Sequence, residues 1–511
     1  MTESVRARRV RERRGTGPKQ LPWRRVENSF RPLEVLSEEQ VERIHVASLK
    51  LLSDYGLEFQ NDEALQILAA NGAKVDLDSR MVRFPAEVVA HFIGLAPAKA
   101  EVFSWNPAKR IGIGGREIAF GTVGGPPNCS DLERGRRPGT YQDQCDLIRL
   151  EQSLNVLHFC GGAPVEAIDL PADTRHLDTA FAFLTLTDRP FFGRAIGGTR
   201  IADAMAMAAI ARGADVSELS TQPAIMSVIS VNSPRRVDKE MVSGLLQLVR
   251  TRQPAIVTPF TLQGAMSPVT LAGALVQQNA EALGVLAFAQ MASPGAPVVY
   301  GGFTSNVDMR SGAPAFGTPE YARAAIAGGQ LARRYNLPYR TSNVNASNAV
   351  DAQAAYESEM SLWAAVIGGG NLIHHGAGWL EGGLCASFEK MVLDAEMMQM
   401  MAEFVRPVVI DDVEIGLSAH DEVAAGGHFF GSQHTLARFE TAFYQPMVSD
   451  WRNYETWKEA GSIDATQRAH AIWKELLANY EAPPLDVARK DALAEYVARR
   501  KVEIGKTGLD G

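Results

Sequence analysis

The residues of this chain whose types could do chemistry together are a histidine pair, His374-His375, and an amide-rich run, Thr341-Ser-Asn-Val-Asn-Ala-Ser-Asn, that includes Asn343. Two arginines, Arg194 and Arg310, complete the set, with a scatter of rings that includes Phe260, Phe303, Tyr356, Trp379, Phe429, Phe430 and Tyr444. Hydrolytic mechanisms rely on close carboxylate pairs or Cys–His pairs, which this set lacks. Amides, hydroxyls and aromatics orient a bound molecule, so the pattern reads as a binding pocket first. Asn and Ser near strand ends also form turns with their own backbone, which is the plainer role for the amide run. Neighbouring strand residues point to opposite faces, so only one of His374 and His375 is expected to face inward, the other being structural. A zinc site would recruit that imidazole with Cys385, His428 or His434. None of these shares an i, i+4 helical turn, and no metal is expected. A cage of rings attracts a quaternary ammonium through its quadrupole, by ~2 kcal/mol or more for a desolvated contact. An arginine such as Arg310 or Arg194 would then hold a carboxylate at the other end of the same molecule, a combination that suits a betaine.

These residues need elements to bring them together. After Gly115 the text alternates short β-branched or aromatic runs with longer helical stretches, the signature of βαβ units. Strands are predicted at 118–123, 155–161, 190–196, 224–231, 255–259, 297–302, 338–343 and 371–377, and helices over 174–187, 200–211, 239–251, 269–291, 319–335, 351–366 and 387–405. Eight such units fit a closed (β/α)8 TIM barrel, an α/β fold whose reactive groups come from the C-terminal strand ends. An open doubly wound sheet is the alternative. Its dinucleotide fingerprint is missing, as are a phosphate loop, a GxSxG elbow and an HExxH helix. The predicted organisation is a basic, disordered arm (1–30), an N-terminal helical/β cap (31–115), the barrel (116–405) and a C-terminal helical extension (406–511). Within the cap, Ser37-Glu-Glu-Gln opens a helix as a capping box.

With 46% hydrophobic and 22% charged residues the chain has an ordinary globular composition, and its net charge of −8 argues against nucleic acid or anionic membrane as partners. Four cysteines without paired spacing point to a reducing, cytoplasmic setting. The most apolar stretch, 271–292, is interrupted by Gln277, Gln278, Asn279 and Glu281, which rules it out as a membrane span. The run Arg6, Arg8, Arg9, Arg11, Arg13 and Arg14 reads as a solvated terminus.

Several long motifs resemble the trimethylamine methyltransferase (MttB-like) family. They are Pro259-Phe-Thr-Leu-Gln-Gly-Ala-Met-Ser-Pro-Val-Thr with Gln277-Gln-Asn-Ala-Glu281, Asp308-Met-Arg-Ser-Gly312, Asp351-Ala-Gln-Ala-Ala-Tyr-Glu357, Ala377-Gly-Trp-Leu-Glu-Gly-Gly-Leu and Gly427-His-Phe-Phe-Gly-Ser-Gln-His434-Thr. The resemblance runs from about residue 33 to 471. It implies a (β/α)8 barrel, a homo-oligomer, and transfer of a methyl group from a methylated amine to the cob(I)alamin-type corrinoid of a separate cognate protein, with no cofactor tightly bound by the chain itself. The archaeal trimethylamine enzymes carry pyrrolysine, which this sequence lacks. Members without it resemble demethylases of quaternary amines, glycine betaine foremost. On this reading His374, His375 and Asn343 orient substrate, Arg194 or Arg310 binds its carboxylate, and Phe303, Tyr356, Trp379 and Phe430 shape the ammonium pocket. The alternatives are a non-catalytic betaine-binding or regulatory barrel, a trimethylamine or other methylamine methyltransferase, and a metal-dependent barrel using Cys385 and the histidines.

Overall fold

β-branched runs flanked by turn residues become strands here because each is buried on both faces, as a parallel sheet covered by helices requires. A computed structural model describes residues 18–509. Its central sheet contains β1 (Glu117–Thr122), β2 (159–160), β3 (Phe191–Phe192), β4 (Ile225–Val231), β5 (Ala255–Gln263), β6 (Val298–Gly301), β7 (Tyr339–Ser342) and β8 (Leu372–Ala377). Neighbours pair in parallel in that order, and β8 returns to β1. β2 contributes only the bridges Gly121↔Phe159 and Cys160↔Phe191, which close the ring. The fold is therefore the (β/α)8 barrel. Each strand is followed by a helix: α1 (Tyr141–Ser153), α2 (Arg175–Leu186), α3 (Gly198–Arg212), α4 (Lys239–Arg250), α5 (Leu271–Ala292), α6 (Pro319–Arg334), α7 (Ala352–Ile367) and α8 (Phe388–Phe404).

The barrel is closed at its N-terminal end by a hairpin, Ala100–Val102 with Ile111–Ile113. Val102, Ile111 and Ile113 join Ala119, Phe159, Phe192, Met226, Ile256, Val299 and Leu372 in one buried cluster that fills the interior up to the mouth, with Phe192 at its upper edge. Helix α5 is buried nearly all round between the barrel and the N-terminal cap, so its amides find partners inside the protein. Asn279 donates to Ser48 Oγ at 3.0 Å, and Gln278 accepts from Thr304 Oγ1 at 2.6 Å. No helix among the described residues is long and apolar enough to cross a membrane. The helix Glu38–Asp54 carries the expected Ser37–Gln40 capping box.

Beyond α8, helices α9 (Ala465–Ala478) and α10 (Val487–Thr507) strap the barrel's outer wall. The indole of Trp473 donates to Glu389 at 2.9 Å, and Arg500 pairs with Asp203 at 2.7 Å. Between α8 and α9 the chain does not continue as long helices. It makes an excursion over 406–447 whose apolar side chains lie largely exposed. The basic run from Arg6 to Arg14 lies outside the described residues. Residues 18–30, assigned above to the same arm, instead lie along the barrel: Val26 pairs antiparallel with Ile118, and Arg24 reaches Glu403 at 2.8 Å.

Candidate functional site

A strand buried on both faces leaves no inexpensive place for a charge, yet β7 carries Arg340, only 2% exposed. Its side chain extends inside the barrel. One terminal nitrogen, Nη2, lies 2.8 Å from His374 Nδ1, while Nε and Nη1 have no hydrogen-bond partner among the described residues. The guanidinium carbon stands 5.1 Å from the centre of the Phe303 ring. Among the described residues no carboxylate pairs with this cation; burial pulls its pKa down to about 10, so it stays charged at neutral pH.

The facing imidazole is fixed by two contacts. His374 Nε2 lies 2.7 Å from the carbonyl of Gly161, which can only accept, so Nε2 carries the proton and Nδ1 accepts from Arg340. Burial first, then the Arg340 charge, hold His374 well below the usual histidine range. His375 is also held well below it, by burial and by its neighbours His374 and Arg340. It adopts a positive φ of 55°, and the pairing register of β8 shifts between Ile373 and Ala377. That irregularity breaks the strand's alternation. The two rings consequently stack at 3.7 Å at the mouth, whereas strict alternation predicts that only one faces inward.

The half of the mouth beside β5 to β8 is filled by rings packed on one another. Phe303 lies 5.1 Å from Phe260, 5.5 Å from Phe316 and 6.2 Å from Trp379, and His375 lies 4.6 Å from Trp379. Under this layer runs a buried polar frame. Asn343 donates to the Gly376 carbonyl at 2.8 Å and to Asp394 at 3.3 Å, and Asp394 accepts from the Gly378 amide at 2.8 Å. Lys390 pairs with Asp394 and donates to Ser358 Oγ at 2.8 Å. Asn345 and Trp379 exchange hydrogen bonds across the same turn. A small sheet, Asn128–Asp131 and Gly135–Pro138 with Trp379–Leu380 and Cys385–Ser387, roofs the β1–β8 side. Nothing in the β-propensity of Asn128-Cys-Ser-Asp announces that roof.

The other half is open. A cavity of about 220 Å³ lies at the C-terminal ends of β3 and β4, walled by Phe192, Arg194, Ser227, Val228, Ser230 and His374. This is below the ~300–1,000 Å³ of drug-sized sites, so its occupant is small. Larger cavities of about 510 and 420 Å³ open at the N-terminal strand ends, the face that in such barrels carries stability rather than chemistry.

Of the residues singled out in the sequence, His374, His375, Asn343, Phe303 and Trp379 come together at the mouth. Arg194 lines the open cavity, where Glu166 neutralises it at 2.8 and 2.9 Å. Arg310 is exposed in the loop after β6, Tyr356 is 63% exposed on α7, and Phe430 is 80% exposed in the 406–447 excursion with His428 and His434. Cys385 lies in the roof sheet. Cys160 is buried, and burial together with Glu151 pushes its thiol well above the usual range. Sequence reasoning missed Arg340 because it surveyed strand ends, and Arg340 lies inside its strand. The signal was available: a lone arginine in the run Tyr339-Arg-Thr-Ser, read as buried strand, has to find a partner.

The family described as trimethylamine methyltransferase (MTTB) matches residues 2–505. A glycine betaine methyltransferase of Desulfitobacterium hafniense is 35% identical over 474 residues, covering 92% of this chain and 98% of that protein. A trimethylamine methyltransferase MttB of the same species is 29% identical, covering 92% and 94%. One from Methanosarcina thermophila is 26% identical, covering 89% and 95%. Among solved structures, a hydroxylamine complex of MtmB aligns with a TM-score of 0.46 at 10% identity, covering 90% of this chain and 94% of that one.

Proposed function

The chain belongs to the trimethylamine methyltransferase (MTTB) family of methyltransferases, and from that membership we propose that it demethylates a small quaternary amine bearing a carboxylate, of the glycine betaine class. The methyl group passes to a corrinoid held by a separate protein. The observation that carries the choice of substrate is Arg340: a buried guanidinium with two unpartnered nitrogens suits an anion, and the ammonium end then lies toward the mouth.

The chain's own residues do three things. Arg340 binds the carboxylate through Nε and Nη1, held in place by its bond to His374. Phe192, on the open side of the mouth, offers a ring to the quaternary nitrogen, while the Phe303 ring is already engaged by Arg340. The packed rings and the roof sheet keep water from the reacting methyl group. A reduced corrinoid, when its carrier docks over the mouth, supplies the nucleophile. As the carbon–nitrogen bond breaks, its electron pair stays on nitrogen and the product leaves as a neutral tertiary amine. No proton has to be delivered. That agrees with the neutral imidazole of His374 on the cavity wall and the neutral His375 stacked on it, since a tertiary amine substrate needs an acid at its nitrogen. Four free, buried cysteines agree with a reducing cytoplasm, and a homo-oligomer belongs to the same reading.

The test is methylation of cob(I)alamin, followed by absorbance, with glycine betaine, choline and trimethylamine in parallel. Turnover with glycine betaine alone is expected. Tight betaine binding without turnover assigns the chain to a regulatory barrel, and turnover of trimethylamine alone overturns the proposal.

A further inference from the structure

The excursion between α8 and α9 is a second place where the chain is unfinished. Eleven large apolar residues between Val408 and Phe443 are 40% exposed or more, among them Val408 (81%), Ile410 (78%), Phe430 (80%) and Phe443 (78%). With aromatic residues each presenting roughly 150–250 Å², the total is on the order of 1,000 Å². The largest apolar patch of an ordinary monomer is roughly 300–600 Å², while a stable interface buries about 800 Å² per partner. The segment is nonetheless folded. Asp411 caps a short turn at Glu414 and Ser432 caps another at Thr435, while Glu422 accepts from the Gln433 amide and Arg438 pairs with Glu414. Every backbone hydrogen bond described for residues 411–442 closes within the segment. The tether comes only afterwards, where Glu396 accepts from Tyr444 and from the amides of Met447 and Val448.

A matching surface lies on the barrel wall of the same chain. Tyr356 and Met360 on α7 and Met400 and Phe404 on α8 project outward at i, i+4 spacing, each at least 46% exposed. The two stripes meet where Phe404 packs on Trp363 at 4.7 Å and on Phe30 at 5.2 Å. Beside Phe30 opens the 420 Å³ cleft, lined by Arg31, Arg116 and Arg333. The first half of the excursion carries five carboxylates, Asp411, Asp412, Glu414, Asp421 and Glu422. An apolar ribbon with an acidic half and an apolar wall with a basic end are thus complementary in character.

We propose that residues 406–447 form an arm that docks on the α7–α8 wall of a second copy of this chain, with its acidic half over the Arg31–Arg116–Arg333 cleft. A copy of the chain is the partner because the arm has no core of its own and requires permanent cover, whereas a methyl carrier must come and go. The arm also leaves α8 at the N-terminal face of the barrel, where Ser29 bonds the Val405 carbonyl, so it begins away from the mouth that the carrier must reach. Each copy gives one arm and receives one, a self-complementary exchange.

Light scattering on the full-length protein at micromolar concentration tests this directly. The wild type is expected at twice the 55.4 kDa chain mass or a higher multiple. The arm variant Ile410→Asp/Phe430→Asp and the wall variant Met360→Glu/Met400→Glu are each expected at the single-chain mass with an unchanged far-UV circular dichroism spectrum. A monomeric wild type, including one whose arm folds onto its own wall, overturns the proposal, as does either variant retaining the wild-type mass. Should a variant fail to fold, hydrogen exchange on the wild type decides. Slow exchange over 408–443 at high concentration that becomes fast on dilution supports the exchange of arms, and concentration-independent exchange contradicts it.

Discussion

The barrel mouth and the 406–447 arm invert the usual distribution of side chains in opposite senses. The mouth buries polar and charged groups, with Arg340 unpaired at its centre, and the arm exposes apolar ones. In a self-sufficient domain neither arrangement is stable, because an isolated buried charge and a large bare apolar surface both cost free energy. Each inversion therefore marks a surface completed by something else. For the mouth that is a small molecule with an anionic end, and for the arm another protein surface. The mouth also contains its own control. The Lys390–Asp394 pair lies close by and equally deep, but there the charges satisfy each other.

The largest expected effect breaks the contrast at Arg340. Replacing it by Met removes the anion's partner and should weaken glycine betaine binding at least ~30-fold, in line with the roughly 2–5 kcal/mol lost when one member of a buried charge pair is deleted. The empty protein should be as stable as the wild type or more so in urea, because an uncompensated buried charge is removed. A variant that unfolds more easily and still binds betaine would mean that Arg340 is structural. Lys390→Met should behave in the opposite way. It leaves Asp394 buried and unpaired, so a stability loss of about 3–5 kcal/mol is expected from urea titration.

A third effect sharpens the contrast through pH. Burial holds His158 at about 4 and His374 well below the usual value near 6.5. Both stay neutral in the fold while the unfolded chain takes up protons, so the unfolded state binds more protons as pH falls and stability declines. The loss should begin near pH 6.5 and grow toward pH 4, reaching about 3 kcal/mol from His158 alone at roughly 1.4 kcal/mol per pKa unit. Thermal melting against pH checks the sign, and a melting temperature that rises on acidification contradicts it. The smallest effect is expected at Arg194, where Glu166 already neutralises the charge at a partly exposed site. Arg194→Ala should change stability by about 0–1 kcal/mol. Its effect on betaine affinity in calorimetry should be minor, and a loss as large as that at Arg340 would move the carboxylate site out to the cavity rim.

The barrel was legible because its strands are short apolar runs bounded by turn residues. Ala255 to Pro259 and Asn371 to Ala377 read as strands by composition, and the structure has strands at Ala255–Gln263 and Leu372–Ala377. β2 was legible as a position but not as a ladder: it makes single bridges at Phe159 and Cys160 before Gly161 and Gly162 turn the chain away. The roof sheet and the arm were not legible. Asn128-Cys-Ser-Asp has no strand signature and is a strand because Cys385–Ser387 supplies its pairing. The exposed ribbon of Val408, Val409 and Ile410 looks like core until the fold shows no core beneath it. Of the site, the gathering of His374, His375, Phe303 and Trp379 could be read from strand ends. Arg340 is legible only in part: its type marks it as a lone cation within a buried strand, but its missing partner appears only in the packing.

The central claim is that Arg340 anchors a carboxylate whose ammonium end faces the mouth. The most direct measurement is titration calorimetry of glycine betaine and of choline, identical at nitrogen and different at the other end, on the wild type and on Arg340→Met. A wild-type preference for betaine of about 30-fold or more, abolished in the variant, is the predicted result; an undiminished preference in the variant would contradict the account.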